Sequence, residues 1–277
     1  MTDQAARYDR IAEGYARWWA PVLAPFARAV LDLLSGDVDG RAARLLDVGS
    51  GTGTLSVAAL ERWPGVRVDA IDASGEMIAA TRATVGRIPE RAERFDGATA
   101  FADRLPFADG TFDAAMSSFV LQLVPNRHRA LREIRRVLRP GGRLAYVTWV
   151  VDGRSWRPDE IVDDVLEDLG IEPREDAGIA APSAGDLPSA ESAANGLRRA
   201  GFHSVTWRVD RLRYQFDPES YTGFITEFDE QDLVEGLDPD VRARLVRELR
   251  QRLGRLRSRD LVLETPIAYT TGLKPGG

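Results

Sequence analysis

The chain has 277 residues, 44% of them hydrophobic, and no cysteine. It can bury a full core as one large domain or as one domain with a sizeable insertion, and disulfide frameworks, thiolate zinc sites and cysteine nucleophiles are excluded together. The net charge of −6 is uneven: residues 152–176 carry ten acids against three arginines, so the rest is nearly neutral and lacks the clustered positive surface of a nucleic-acid partner.

His128 and His203 are the only histidines, so no metal site is expected. The N-terminus is charged from Asp3 onward and lacks the apolar core of a signal peptide, and "WWAPVLAPFA" is too short to span a bilayer. No membrane span is expected, and the chain reads as cytoplasmic.

Residues 1–40 read as an N-terminal helical cap of two aromatic-rich pieces, "YDRIAEGYARWW" and "VLAPFARAVLDLL", the second broken near Pro25. "ARLLDVG" is a buried strand, "TLSVAALERW" a helix closed by Pro64 and Gly65, and "VRVDAIDA" a second strand. "GEMIAATRATVG" is a helix, a weak strand lies within "ERFDGATAFA", and "TFDAAMSSFVLQLV" starts as a strand and runs into a helix. "RHRALREIRRVLR" is amphipathic and stops at "PGG", before the strand "RLAYVTWV". Alternation at this spacing predicts a doubly wound α/β core with a parallel sheet over residues 41–150, whose ligands bind beyond the carboxyl ends of the strands.

Residues 151–195 break the alternation and read as an acidic insertion or lid holding one short amphipathic helix. From 196 to 277 the sheet resumes together with lid helices. "HSVTWRVDRLRYQF" changes apolar phase between Val209 and Leu212, which predicts a bulge there. Asp217-Pro218 and Asp238-Pro239 mark two helix starts, and "DLVLETPIAYTTGL" supplies a last strand, making the final pair an antiparallel edge.

The stretch "LLDVGSGTG" places glycines at 49, 51 and 53 after an apolar strand. Such a turn lets backbone approach a ligand at a helix N-terminus. A dinucleotide fingerprint wants glycine or alanine at residue 54, where this chain has threonine. Asp47 at the strand's end would repel a pyrophosphate and suit an ammonium or sulfonium. Asp72 ends the next strand, where an acid accepts from both ribose hydroxyls or else caps the following helix. Met77 serves as an adenine wall or as core.

"LLDVGSGTGTL", "VDAIDASGEMI", "RLPFADGTFDAAMSSFVLQLV" and "ALREIRRVLRPGGRLAYVTW", in this order and spacing, resemble class I S-adenosylmethionine-dependent methyltransferases, in the small-molecule branch that includes the ubiquinone and menaquinone enzymes. The resemblance implies a Rossmann-like, mostly parallel seven-stranded sheet and S-adenosyl-L-methionine as cofactor. It implies that Gly49, Ser50 and Gly51, with Asp47 close by, hold the methionine part of the cofactor. Asp72 would bind the ribose, and Ala73 and Met77 would line the adenine. Where relatives place an acid before the alanine of the "DAxxLPF" block, this chain has Phe101, which leaves the Ala102 backbone or Asp103 to contact the adenine amine. Ser118, Phe119 and Gln122 match positions flanking methionine and acceptor, and Tyr8 and Tyr15 match aromatics that close over the cofactor.

Methyl transfer from a sulfonium is an in-line displacement that needs alignment and water exclusion more than a base, and neither histidine is an obvious base. Trp18, Trp19, Gln122, Trp149, Tyr221 and Phe224 are the candidate acceptor contacts, joined by Trp156 and Phe228; as a group they suggest a small apolar or aromatic acceptor. The alternatives are a non-catalytic sensor or partner-binding protein on the same fold, and an NAD-dependent dehydrogenase, which Thr54 and the missing catalytic constellation disfavour. Nothing in the sequence separates a monomer from a homodimer.

Overall fold

β1 (Arg44–Val48) pairs in parallel with β2 (Arg67–Asp72), and β2 with β3 (Phe95–Thr99). On its other side β1 pairs in parallel with β4 (Phe112–Ser118), and β4 with β5 (Leu138–Trp149). After β6 (His203–Gln215) the chain returns as β7 (Val262–Leu273), which inserts antiparallel between β5 and β6. The sheet order is therefore β3-β2-β1-β4-β5-β7-β6. The computed structural model describes residues 3–151, 153–172 and 187–276 of the chain.

The strands read as continuous apolar runs because helices cover both faces. Successive side chains point to opposite faces, so Leu45, Ala114, Ala145 and Val147 join one core while Leu46, Ala115, Leu144 and Tyr146 join the other. Helices Arg127–Val137 and Ala190–Arg199 close the second core. The N-terminal segment, Thr54–Arg62 and Pro239–Leu253 close the first. Among the described residues no helix is long and apolar enough to cross a membrane.

Both Asp-Pro signals mark helix starts. Asp217 caps Pro218–Phe224, accepting from Ser220 N at 2.7 Å, and Asp238 caps Pro239–Leu253, accepting from Asp240 N at 2.9 Å. Four expectations are corrected. The N-terminal helix Ala20–Arg28 runs through Pro25 and ends at Arg28, forgoing the one bond that residue 25 would make to the Pro21 carbonyl, with Val22, Leu23 and Ala27 buried in the core on either side of it. The segment after β4 is a turn rather than a helix, opening on Phe119 at φ 54 and closed by Leu123 N–H to Val120 O at 2.8 Å. The "PGG" stretch belongs to β5, where residues 139–142 bulge out of the pairing with β4. The phase change in β6 carries no bulge: pairing is unbroken from Thr206 to Gln215, and the irregularity lies between His203 and Thr206. Only the second apolar phase is buried: Leu212 and Phe216 lie in the core, whereas Trp207 and Val209 are 46% and 53% exposed. The insertion's helix is Arg157–Asp168, and residues 173–186 of that segment lie outside the described residues.

The N-terminal cap crosses the segment after β6 at two glycines. A Cβ on Gly14 would strike the carbonyl of Glu227, and one on Gly223 would strike the Trp18 ring. Both crossing elements are π-helical at the contact, Tyr15–Trp19 and Ile225–Asp229. Arg10 grips Asp232 with two bonds of 2.9 and 2.8 Å, and Arg17 and the Trp18 indole both donate to Glu227 Oε2.

Candidate active site

A cavity of about 340 Å³ opens at the carboxyl ends of β1, β2, β3, β4 and β5 and is roofed by the N-terminal cap. This is the crevice an α/β sheet offers to ligands.

One end is built around the glycine turn. Gly49, Gly51 and Gly53 have φ of 73, 54 and 91, the left-handed region that favours glycine. A side chain on Gly49 would also strike Val120, and the Tyr15 ring lies 3.7 Å from where a Cβ of Gly51 would be. Asp72 ties the turn to the next strand: its Oδ2 accepts from Gly51 N at 2.9 Å and its Oδ1 from Ser74 N at 3.0 Å. Burial raises the Asp72 carboxyl above the usual range, against which the N–H donors of Ser74 and Gly51 act. Ala73, Met77 and the stretch Ala100–Asp103 continue the wall. Asp9 of the cap accepts from Ser74 Oγ at 2.6 Å, joining the roof to this wall.

The other end is aromatic. Trp149 at the end of β5 stacks on Trp19 with centroids 5.9 Å apart and packs on Phe119 at 4.5 Å. Leu23 and Ala27 follow Trp19 along one helix face, and Gln122 completes this end. Thr148 Oγ1 donates to Gln122 Oε1 at 2.8 Å.

Of the residues expected from sequence, Tyr15, Gly49, Ser50, Gly51, Asp72, Ala73, Met77, Ala102, Asp103 and Ser118 line this one cavity, as do Tyr8, Trp19, Gln122 and Trp149. Asp47 does not. It is fully buried below the turn, with Ser56 Oγ donating to its Oδ2 at 2.6 Å and Oδ1 without a partner. Strand alternation sends residue 47 to the side of helix Thr54–Arg62 instead. Burial pushes its carboxyl up to about 7, with Ser56 opposing and Asp72 adding to the rise. Trp18 turns away to Glu227, and Tyr221 donates to Asp159 from within the core. Phe224 packs behind Trp19 at 5.1 Å. Sequence reasoning missed Leu23, Ala27 and the turn Leu123–Asn126; the spacing of Trp19, Leu23 and Ala27 at four residues was the available signal.

The ionisable residues lining the cavity are Tyr8, Tyr15, Asp72 and Asp103. Burial pushes the Tyr8 phenol up to about 12 and that of Tyr15 higher still, so both are neutral near pH 7. The arrangement offers a polar cradle with an acid at the end of β2, an apolar wall, and an adjoining aromatic slot. These fit the sugar, base and amino-acid parts of S-adenosylmethionine next to an acceptor.

Comparison with known proteins agrees. Residues 46–146 match the family model described as a methyltransferase domain. The chain is 34% identical to the ubiquinone/menaquinone biosynthesis C-methyltransferase of Paracoccus denitrificans over 216 residues, covering 74% of this chain and 81% of that one. The crystal structure of the [4+2]-cyclase SpnF superposes with a TM-score of 0.58 at 22% identity, covering 99% and 96% of the two chains. A phosphoethanolamine N-methyltransferase of Haemonchus contortus, solved with phosphomonomethylethanolamine and S-adenosylhomocysteine, gives 0.58 at 17% identity, over 99% of this chain and 61% of that one. At these identities the two structures establish the fold alone. The sequence match and the fold together place the chain in the class I S-adenosylmethionine-dependent small-molecule methyltransferases.

Proposed function

We propose that the chain methylates a small, planar, apolar or aromatic acceptor on carbon, by in-line displacement governed by positioning. The observation that carries this reading is the junction of the glycine cradle with the slot formed by Trp19, Phe119 and Trp149, and the name of the Paracoccus relative, a C-methyltransferase, favours carbon.

When bound, S-adenosylmethionine supplies an electrophilic methyl group on a sulfonium. Gly49, Ser50, Gly51 and Ser118 hold its amino-acid part in this reading. Asp72 accepts from the ribose hydroxyls with the lone pairs that Gly51 and Ser74 leave free, and Ala73, Met77, Ala102 and Asp103 flank the adenine. Tyr8 and Tyr15 close the roof and keep water out. Trp19 and Trp149 hold the acceptor plane against the methyl group, so alignment supplies most of the rate. The reaction calls on no base in this reading: the two phenols are neutral, Asp72 is engaged with backbone donors, Asp103 is assigned to the adenine, and neither histidine is among the lining residues.

The division into cap (1–40), cofactor core (41–150), insertion (151–195) and C-terminal part (196–277) belongs to the same reading. So do a cytoplasmic location and the absence of a nucleic-acid partner, which rest on composition and charge.

The test is incubation with methyl-labelled S-adenosylmethionine and a panel of phenolic and enolic aromatic compounds. Label in a new carbon–methyl bond, seen by NMR, is the expected product. Label only on oxygen or nitrogen overturns the carbon reading, and no transfer to any planar acceptor overturns the slot assignment.

A further inference from the structure

Gln122 is 2% exposed and lines the aromatic end of the cavity. It is held from two sides. Its backbone carbonyl accepts from an Arg127 NH2 group at 3.0 Å while Arg127 Nε donates to the neighbouring Leu121 carbonyl at 2.8 Å. Its side-chain Oε1 accepts from Thr148 Oγ1 at 2.8 Å. The remaining end of the amide, Nε2, is buried without a hydrogen-bond partner. Folded proteins keep few such groups, because a buried donor left unpaired forfeits its hydration with nothing in return.

The surroundings indicate what Nε2 is for. The turn that carries Gln122 begins at Phe119, whose φ of 54 puts a bulky residue in the left-handed region and so holds strain at the cavity wall. Gln122 shares the cavity wall with Trp19, Leu23, Phe119 and Trp149, none of whose side chains carries a hydrogen-bond acceptor for an amide N–H. A bound water needs about 2–4 such partners to be retained. A ligand oxygen needs only the amide itself.

We infer that the free amide of Gln122, oriented by Thr148, selects the acceptor by donating a hydrogen bond to a carbonyl or hydroxyl oxygen on its planar apolar body. The inference rests on the proposed use of the aromatic end as the acceptor slot. Because a donor withdraws electron density from the oxygen it binds, that oxygen is a recognition handle and methylation falls on another atom. A ligand presenting only donors, such as an ammonium, faces the amide N–H unfavourably. Thr148 is a positioning residue here: its hydroxyl holds Oε1 and so decides which end of the amide is left for the ligand.

The test uses two ligands of one shape, 2-acetylnaphthalene and 2-isopropenylnaphthalene, titrated into the full chain saturated with S-adenosylhomocysteine and followed by quenching of tryptophan fluorescence. The ketone is expected to bind about ten-fold tighter than the alkene, as one buried hydrogen bond supports. Gln122→Met should bring the ratio close to one by loss of the ketone's advantage. Thr148→Val, which keeps the amide but releases its Oε1, should lower the ratio without touching alkene binding; it carries the test if Gln122→Met does not fold. Equal binding of the two ligands to the unmodified protein, or a preference that survives both substitutions, overturns the inference and leaves the acceptor slot standing. Failure of both ligands to bind the loaded protein overturns the inference and the slot together.

Discussion

The Gly51 N–H donates to Asp72 Oδ2 at 2.9 Å, so the glycine turn after β1 and the acid that ends β2 form one hydrogen-bonded unit rather than two separate contacts. Asp72→Asn keeps the shape but replaces one acceptor by an amide NH2 that must face Gly51 or Ser74. Affinity for S-adenosylhomocysteine, measured by isothermal titration, is expected to fall about ten- to a hundred-fold, ~1.4 to ~3 kcal/mol, with the fold retained. Unchanged affinity would remove Asp72 from the cofactor site.

Asp47 gives a pH signature. Its carboxyl rises from the ordinary 3.8 to about 7 through burial, so the native state holds this proton where the unfolded chain has released it. Stability therefore falls as pH climbs through that window and levels off above it, by on the order of 4 kcal/mol in all. Asp47→Asn removes the titration. The melting temperature of the variant relative to the unmodified protein should rise between pH 5 and pH 8, and parallel curves would show that Asp47 does not titrate there.

The cap meets its partner segment at two glycines. Gly223→Ala pushes a methyl group into the Trp18 ring, an overpacking that costs about 1–3 kcal/mol. Because Tyr8 and Tyr15 line the cavity from the same cap, cofactor affinity should fall along with the melting temperature. A drop in melting temperature with unchanged S-adenosylhomocysteine binding would separate the cap from the cofactor.

Trp19 and Phe224 touch each other but differ in role, since only Trp19 lines the cavity. Trp19→Ala should raise KM for a planar acceptor with little change in cofactor affinity. Phe224→Ala should act mainly on stability, by about 3–5 kcal/mol in a denaturant titration. Equal effects of both on acceptor KM would contradict the division.

The order of strands and helices, the two aspartate caps and the glycine turn were legible because each depends on residues close along the chain. The period of apolar residues marks strand or helix, proline and aspartate mark a helix start, and glycine marks positive φ. Where the expectation went astray, hydrogen bonds and burial that the apolar period does not encode decided. The helix expected after β4 gives way to a turn that Arg127 holds by two carbonyls, and β6 runs without a bulge at its phase change because Trp207 and Val209 stay exposed and only Leu212 and Phe216 are buried. Phe101, which departs from the relatives' acid, still lines the wall between Ala100 and Ala102.

By itself the sequence determined the architecture and the cofactor: the glycine turn, the acid ending β2 and the four ordered blocks suffice for both. Only the tertiary structure decided how individual side chains are used. Asp47 turns under the loop because strand alternation points it at Ser56, and Trp18 leaves the cavity because Glu227 receives its indole. Gln122, in the turn after β4, keeps a free amide N–H end because Thr148 on β5 holds its oxygen. Burial and hydrogen-bond satisfaction are properties of neighbours in space, and for these residues the neighbours are set by how helices, adjacent strands and the cap pack together.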